Sequence, residues 1–164
     1  MKQFNFSYLE TPIGMLEIKA DRNAIFSILF FEEQSVKKDE QTNNVIDLCK
    51  AQLLEYFNKE RTSFNLPLQL NGTDFQNKVW TELQKISFGK TISYLQLAIN
   101  LGDEKCIRAA GTANRKNPFS IVVPCHRVIG KDGSLTGYAG GLWRKQWLLE
   151  HENAFVYGVK SLFA

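Results

Sequence analysis

The chain has 164 residues, 44% of them hydrophobic and 23% charged, the balance of a globular protein with room for one generous domain or two small ones. No apolar run approaches the roughly 20 residues of a membrane span, and the opening MKQFNFSYLETPIG lacks the apolar block of a signal peptide, so residence in the cytoplasm or on the nucleoid is expected. Net charge is +3 but unevenly placed: residues 1–79 hold 9 Lys and Arg against 11 Asp and Glu (−2), residues 80–164 hold 11 against 6 (+5), and the basic half points to a polyanionic partner there.

The first third reads as antiparallel strands. FNFSY (4–8), MLEIKA (15–20) and AIFSILFFE (24–32) alternate or run apolar, separated by the turn signals TPIG and DRN. A polar loop over 32–44 precedes a helix over 45–57, with Thr42, Asn43 or Asn44 as its cap and Cys49 on its apolar face as a core thiol. In FNLPLQL (64–70), Pro67 interrupts the alternation, which suits an edge segment or a crossing linker.

From Asn71 the punctuation changes to short capped helices. TDFQ (73–76) reads as a capping box opening a helix through about Ile86, and SYLQ (93–96) as a second, whose helix stops near Gly102. Asp103 caps a third, roughly 104–114, completing a helix-turn-helix pattern. A last helix is expected over about 141–151. The expected architecture is α+β: a small N-terminal antiparallel sheet-plus-helix domain over 1–70 and a mostly helical domain over 71–164.

Three cysteines, Cys49, Cys106 and Cys125, cannot all pair and have no Cys-x-x-Cys spacing; with two histidines to add, neither a disulfide framework nor a zinc site of ordinary spacing is expected. Cys125 stands in IVVPCHRVIGKDG, behind a proline that stiffens the backbone and before His126 and Arg127. That setting suits a thiol activated by imidazole or positive charge, and it equally suits a buried core cysteine beside a structural histidine. Neighbours on an extended chain point to opposite sides, so a contact between Cys125 and His126 needs a sharp turn or a bridging water. Asp132, Glu150 and Glu152 are the carboxylates able to orient His126, and spacing does not choose among them. Asp132 sits in KDG, a natural tight turn.

In KCIRAAGTANRKN, Ala109, Ala110, Gly111 and Ala113 strip a helix of bulk, with Arg108, Arg115 and Lys116 as its charges. Gly111 costs about 1 kcal/mol relative to Ala in a helix, so a close contact should compensate it, either another helix or duplex DNA. Tyr94, following Ser93, is placed to meet a phosphate or to pack in the core.

Taken in order, FQNKVWTELQKI, FGKTISYLQLA, IRAAGTANRKNP and IVVPCHRVIGKDGSLTGYAGGLWRKQWLLEHE resemble the O6-alkylguanine-DNA alkyltransferases from about Asp74 to Glu152. PCHRV followed by GYAGGL is the specific part; the N-terminal half matches only in outline. The resemblance implies a ribonuclease H-like first domain, a winged-helix-like second domain, and a single-turnover methylated-DNA–protein-cysteine methyltransferase without cofactor or metal. Its substrate would be O6-alkylguanine, and O4-methylthymine, in duplex DNA.

The same resemblance implies roles. Cys125 would accept the alkyl group, His126 would act as base through a water, and Glu152 would orient it. Arg108 would fill the gap left by a flipped base, and Asn117 would brace the turn into the active-site segment. Ser93, Tyr94, Ala109, Gly111, Thr112 and Arg115 would meet DNA in the minor groove with little sequence preference, and Tyr94 would also help rotate the nucleotide and hydrogen-bond the guanine. Val128, Tyr138, Ala139 and Gly140 would form the base pocket, and the protein would work as a monomer. Position 139 is Ala where some relatives carry Ser, and 120 is Ser where some carry Pro; the first removes a hydroxyl contact, the second alters a pocket wall. A cysteine hydrolase would leave the helix-turn-helix and Arg108 unexplained, and a DNA-binding regulator would leave PCHR unexplained.

Overall fold

A computed structural model describes residues 3–158, which fall into two compact units. The first runs to Asn71 and includes residues 118–120; the second comprises Gly72–Asn117 and continues from Ile121.

The first unit is an antiparallel meander, β1 (Asn5–Thr11), β2 (Gly14–Ala20) and β3 (Ile25–Phe30), with helix α1 (Asn44–Phe57) on one face. Register pairs Leu9 with Leu16 and Ile18 with Ile28, and slips by one between Lys19 and Ala20. Leu16, Ile18, Ala20, Ile25 and Ile28 are buried with Ile46, Cys49, Leu53 and Tyr56 of α1, so the predicted core thiol lies in the core. Of the three candidate caps, Asn43 serves: its Oδ1 accepts from Ile46 N at 2.9 Å while its amide reaches Asn5 and the Asp21 carbonyl.

A free β3 edge would expose unpaired backbone groups. Two short segments cover it. Ile25 N donates to Pro67 O and Gln69 N to Ile25 O, so Pro67, lacking a donor, sits at the edge as its chemistry requires. Residues 118–120 repeat the device at Ile28, through Ile28 N to Pro118 O and Ser120 N to Ile28 O, with Phe119 fully buried.

The second unit is helical: α2 (Asp74–Leu83), α3 (Tyr94–Asn100), α4 (Ile107–Arg115) and α5 (Leu142–Tyr157), with two-residue strands β4 (Ile92–Ser93) and β5 (Val128–Ile129) pairing in parallel. The mixed class expected from sequence is the class observed. Thr73 and Gln76 form the full capping box of α2, but the helix ends at Leu83 and continues to Ile86 as turns. The second box is only half made. Ser93 Oγ accepts from Gln96 N at 3.0 Å, whereas the Gln96 amide turns to Asn100. The helix expected from 104 begins as a 3₁₀ turn, Glu104–Cys106, capped by Asp103, and becomes α-helical at Ile107. Gly102 at φ 97° makes the tight turn between α3 and α4. The last helix runs well past 151, to Tyr157, and stops where Gly158 takes φ 72°.

Candidate active site

Ile121 opens the segment with φ 72°, in the left-handed region that costs a β-branched residue about 1–2 kcal/mol, and its complete burial holds it there. Three residues on, Pro124 at φ −82° and ψ 63° forms an inverse γ-turn closed by Cys125 N donating to Val123 O at 2.8 Å. A 3₁₀ turn over Cys125–Arg127 follows, before β5. This is the sharp turn that a cysteine–histidine neighbour pair needs. Asn117 Nδ2 braces it, donating to Val123 O at 2.7 Å, and Asn114 Nδ2 donates to Cys125 O at 3.4 Å.

Cys125 and Cys49 are both buried thiols with unlike surroundings. Burial pushes Cys49 up to about 12, opposed only by Lys50. Burial also raises Cys125, but there an Asn117 side-chain hydrogen bond and the Lys145 charge favour the thiolate. Cys49 is filler; Cys125 is a thiol held neutral at rest with groups arranged to support its anion.

The carboxylate choice is resolved by α5. Glu152 is buried and accepts from His126 Nε2 at 2.6 Å, from Arg127 Nε at 2.8 Å and Nη2 at 3.1 Å, and from Gly89 N at 3.2 Å. Burial works to raise its carboxyl, yet His126 and Arg127 together hold it well below the usual carboxylate range. Glu150 instead accepts from Gln146 Nε2, and Asp132 accepts from Ser134 N in its turn. Burial is the main influence on His126 and lowers its imidazole, outweighing the attraction of Glu152. The neutral ring must therefore carry its proton on Nε2, where an ionised acceptor waits, which leaves Nδ1 as the basic nitrogen. Nδ1 is buried and has no protein hydrogen-bond partner among the described residues.

The remaining predicted residues divide into two groups. Val128 and Tyr138 are buried beside Cys125; the Tyr138 phenol is raised by burial first and by the Cys125 charge second, and its hydroxyl makes no hydrogen bond among the described residues. Ala139 is exposed, and Gly140 O accepts from Arg144. Tyr94 spans the groups, half-buried, its hydroxyl donating to Thr136 O at 2.9 Å. Arg108, Ala109, Thr112 and Arg115 are exposed along α4, and Ser93 caps α3. Of the two close contacts that could compensate Gly111, a packed helix is not seen among the described residues. A Cβ there would meet only the Tyr94 ring, at 3.7 Å, an ordinary van der Waals distance.

Sequence spacing gives no sign of Lys145, which is fully buried. Its Nζ donates to Val128 O at 2.6 Å and Thr136 O at 2.8 Å and lies 3.4 Å from Tyr94 Oη. Burial lowers it to about 8. Arg127, legible only as a nearby charge, is the ion-pair partner of Glu152 and donates to Ile86 O.

A turn-held cysteine followed by an imidazole fixed on a buried carboxylate lies in one unit with a helix-turn-helix whose outer face carries arginines, the class of site expected of a protein that acts on DNA through a cysteine. Residues 5–70 match the ribonuclease-like domain, and residues 74–154 the DNA binding domain, of 6-O-methylguanine DNA methyltransferase. The constitutive methylated-DNA–protein-cysteine methyltransferase of Bacillus subtilis is 42% identical over 142 residues, 82% of this chain and 86% of that protein. Its counterpart in Mycolicibacterium paratuberculosis is 44% identical over 159 residues, 94% of this chain and 96% of that one. The crystal structure of Mycobacterium tuberculosis O6-methylguanine methyltransferase superposes with a TM-score of 0.85 at 37% identity, over 94% and 95% of the two chains. A structure from the same organism in complex with DNA gives 0.84 at 39%, over 92% and 93%. The chain belongs to the 6-O-methylguanine DNA methyltransferase family, the methylated-DNA–protein-cysteine methyltransferases of DNA repair.

Proposed function

We propose that the protein repairs alkylated duplex DNA directly, moving the alkyl group from O6 of guanine to Cys125 once per molecule. The observation that carries the chemistry is that Glu152 holds His126 Nε2 at 2.6 Å while Nδ1 is buried with no hydrogen-bond partner among the described residues, which supports a basic Nδ1. Through a bridging water, Nδ1 takes the Cys125 proton as Sγ attacks the alkyl carbon. The S–C bond forms, the C–O6 bond breaks, and the guanine leaves with its electron pair and takes up a proton. Raised by burial, the Cys125 thiol depends on that base at the moment of reaction. The thioether product has no hydrolytic exit, so the molecule is consumed.

DNA is the partner, engaged by the second unit. The exposed residues Arg108, Ala109, Thr112 and Arg115 of α4 suit the minor groove, with Arg108 filling the space of a flipped nucleotide. Ser93 and Tyr94 lie at its border, and the missing Cβ of Gly111 lets the duplex approach. Val128, Tyr138, Ala139 and Gly140 receive the base, the Ala139 N–H donating to O6 as charge develops there. The protein acts as a monomer in the cytoplasm, on O4-methylthymine as well as O6-alkylguanine. The residue ranges 1–70 and 71–164 act as a supporting domain and a reactive domain.

The test is stoichiometry. With duplex carrying labelled O6-methylguanine in excess, label on the protein should stop at one equivalent per chain; continued turnover, or none, overturns the proposal.

A further inference from the structure

Two residues at the start of α5 have no part in that chemistry. Trp143 is 57% exposed, and the Arg144 guanidinium stacks over its ring at 4.7 Å from the centroid. Exposed tryptophan is uncommon because the indole is large and apolar, and a cation over one face fixes its orientation. Arg144 Nη1 also donates to Gly140 O at 2.9 Å, so the pair is anchored to the turn that precedes α5. Gly141, at φ 93°, completes the anchor: a side chain there would meet the Trp143 ring at 3.4–3.5 Å.

The loop that anchors this platform also reaches α4. At the other end of the same loop a side chain at Gly137 would meet Arg115, on the last turn of α4, at 3.4–3.7 Å. The uncharged loop 137–141 thus has Arg115 at one end and Arg144, with its flat aromatic partner, at the other. Cations meet phosphates and an exposed indole meets the face of an unstacked base, the pairing by which single-stranded segments are held.

Resting on the function proposed above, we infer that Trp143, backed by Arg144, stacks on an unstacked nucleotide of the same DNA that delivers the damaged base. The indole supplies affinity and carries no base selectivity, since every base offers a π-face. It widens the footprint on DNA beyond the α4 residues.

Full-length Trp143→Ala and Trp143→Phe proteins, made in a Cys125→Ala background so that no transfer intervenes, are titrated into a labelled duplex holding one O6-methylguanine. Trp143→Ala should weaken binding about five- to a hundredfold, and Trp143→Phe should retain most of the affinity. The slope of log affinity on log salt should be unchanged in Trp143→Ala and about one unit shallower in Arg115→Ala, because only the arginine releases counterions. Melting temperatures equal to the parent's establish that the exposed substitutions leave the fold intact. Unchanged DNA affinity in Trp143→Ala overturns the inference. Concentration-dependent self-association abolished by that variant, with DNA affinity unchanged, overturns it in favour of a second copy of the chain. Failure of the parent itself to bind the duplex would instead overturn the proposed function.

Discussion

His126 Nε2 lies 2.6 Å from Glu152 Oε2, both side chains are buried, and Arg127 binds the same carboxylate at 2.8 and 3.1 Å. The arrangement places the ring proton on Nε2 and makes His126 one-sided: Nε2 is committed to Glu152, and Nδ1 has no hydrogen-bond partner among the described residues. Replacing Glu152 by Gln removes the anion that selects this tautomer and disturbs the Arg127 pair. The rate of alkyl uptake should fall about a hundred- to a thousandfold, measured by single-turnover transfer from duplex. A change under tenfold would separate Glu152 from the chemistry.

The same pair sets the acid limit of stability. Both groups are lowered in the folded protein, His126 from 6.5 and Glu152 from 4.5, so the unfolded chain binds the protons more readily. The pair's contribution to stability is therefore full above about pH 6.5 and declines as pH falls, first because unfolded His126 protonates and then, below about 4.5, because Glu152 does so as well. The charges facing His126 are Glu152, Arg127 and Lys145. Urea unfolding across pH should show His126→Asn losing the first limb and keeping the second; an unaltered first limb contradicts the assignment.

Gly111 offers a test in which stability and binding move oppositely. Its Cβ position is open to an alanine, with the Tyr94 ring at 3.7 Å. Gly111→Ala should raise stability by about 1 kcal/mol through helix propensity and weaken duplex binding, because the added methyl lies on the α4 surface that meets DNA. Thermal unfolding and a DNA titration read the two effects; equal or tighter binding would contradict the proposed placing of α4 against DNA at this point.

Much of this was legible in sequence because it is local. Asn43 and Thr73 cap where capping chemistry predicts, Pro67 takes an edge, and PCHR carries its own rigid turn. Cys49 is legible as a core thiol from its helical face, but residue type leaves Cys125 open between filler and nucleophile, since the Asn117 and Lys145 groups that favour its thiolate come from elsewhere in the chain. Lys145 was illegible for a related reason. Its helical position sits among apolar neighbours, where a long amphipathic side chain is buried or exposed with equal ease. Its acceptors are backbone carbonyls at 128 and 136, which no side-chain pattern announces. The left-handed Ile121 is equally silent, being a consequence of packing with no turn residue to mark it.

Lys145 ties Val128 to Thr136 and so holds the loop between them. Lys145→Met keeps the stem's volume but takes the ammonium donor from buried Val128 O, while Thr136 O keeps the Tyr94 hydroxyl, and should cost about 1–3 kcal/mol. Limited proteolysis should cut faster within 130–141, and alkyl uptake should slow as Cys125 loses a charge that favours its thiolate. Unchanged melting and cleavage would mean the loop stands without it.

The central claim is that Cys125 is the alkyl acceptor, and mass spectrometry tests it most directly. After incubation with duplex containing O6-methylguanine, the intact protein should gain the mass of one methylene, mapped by peptide fragmentation to Cys125, and Cys125→Ala should gain nothing. Modification at Cys49 or Cys106, or uptake by the Cys125→Ala protein, would contradict the account.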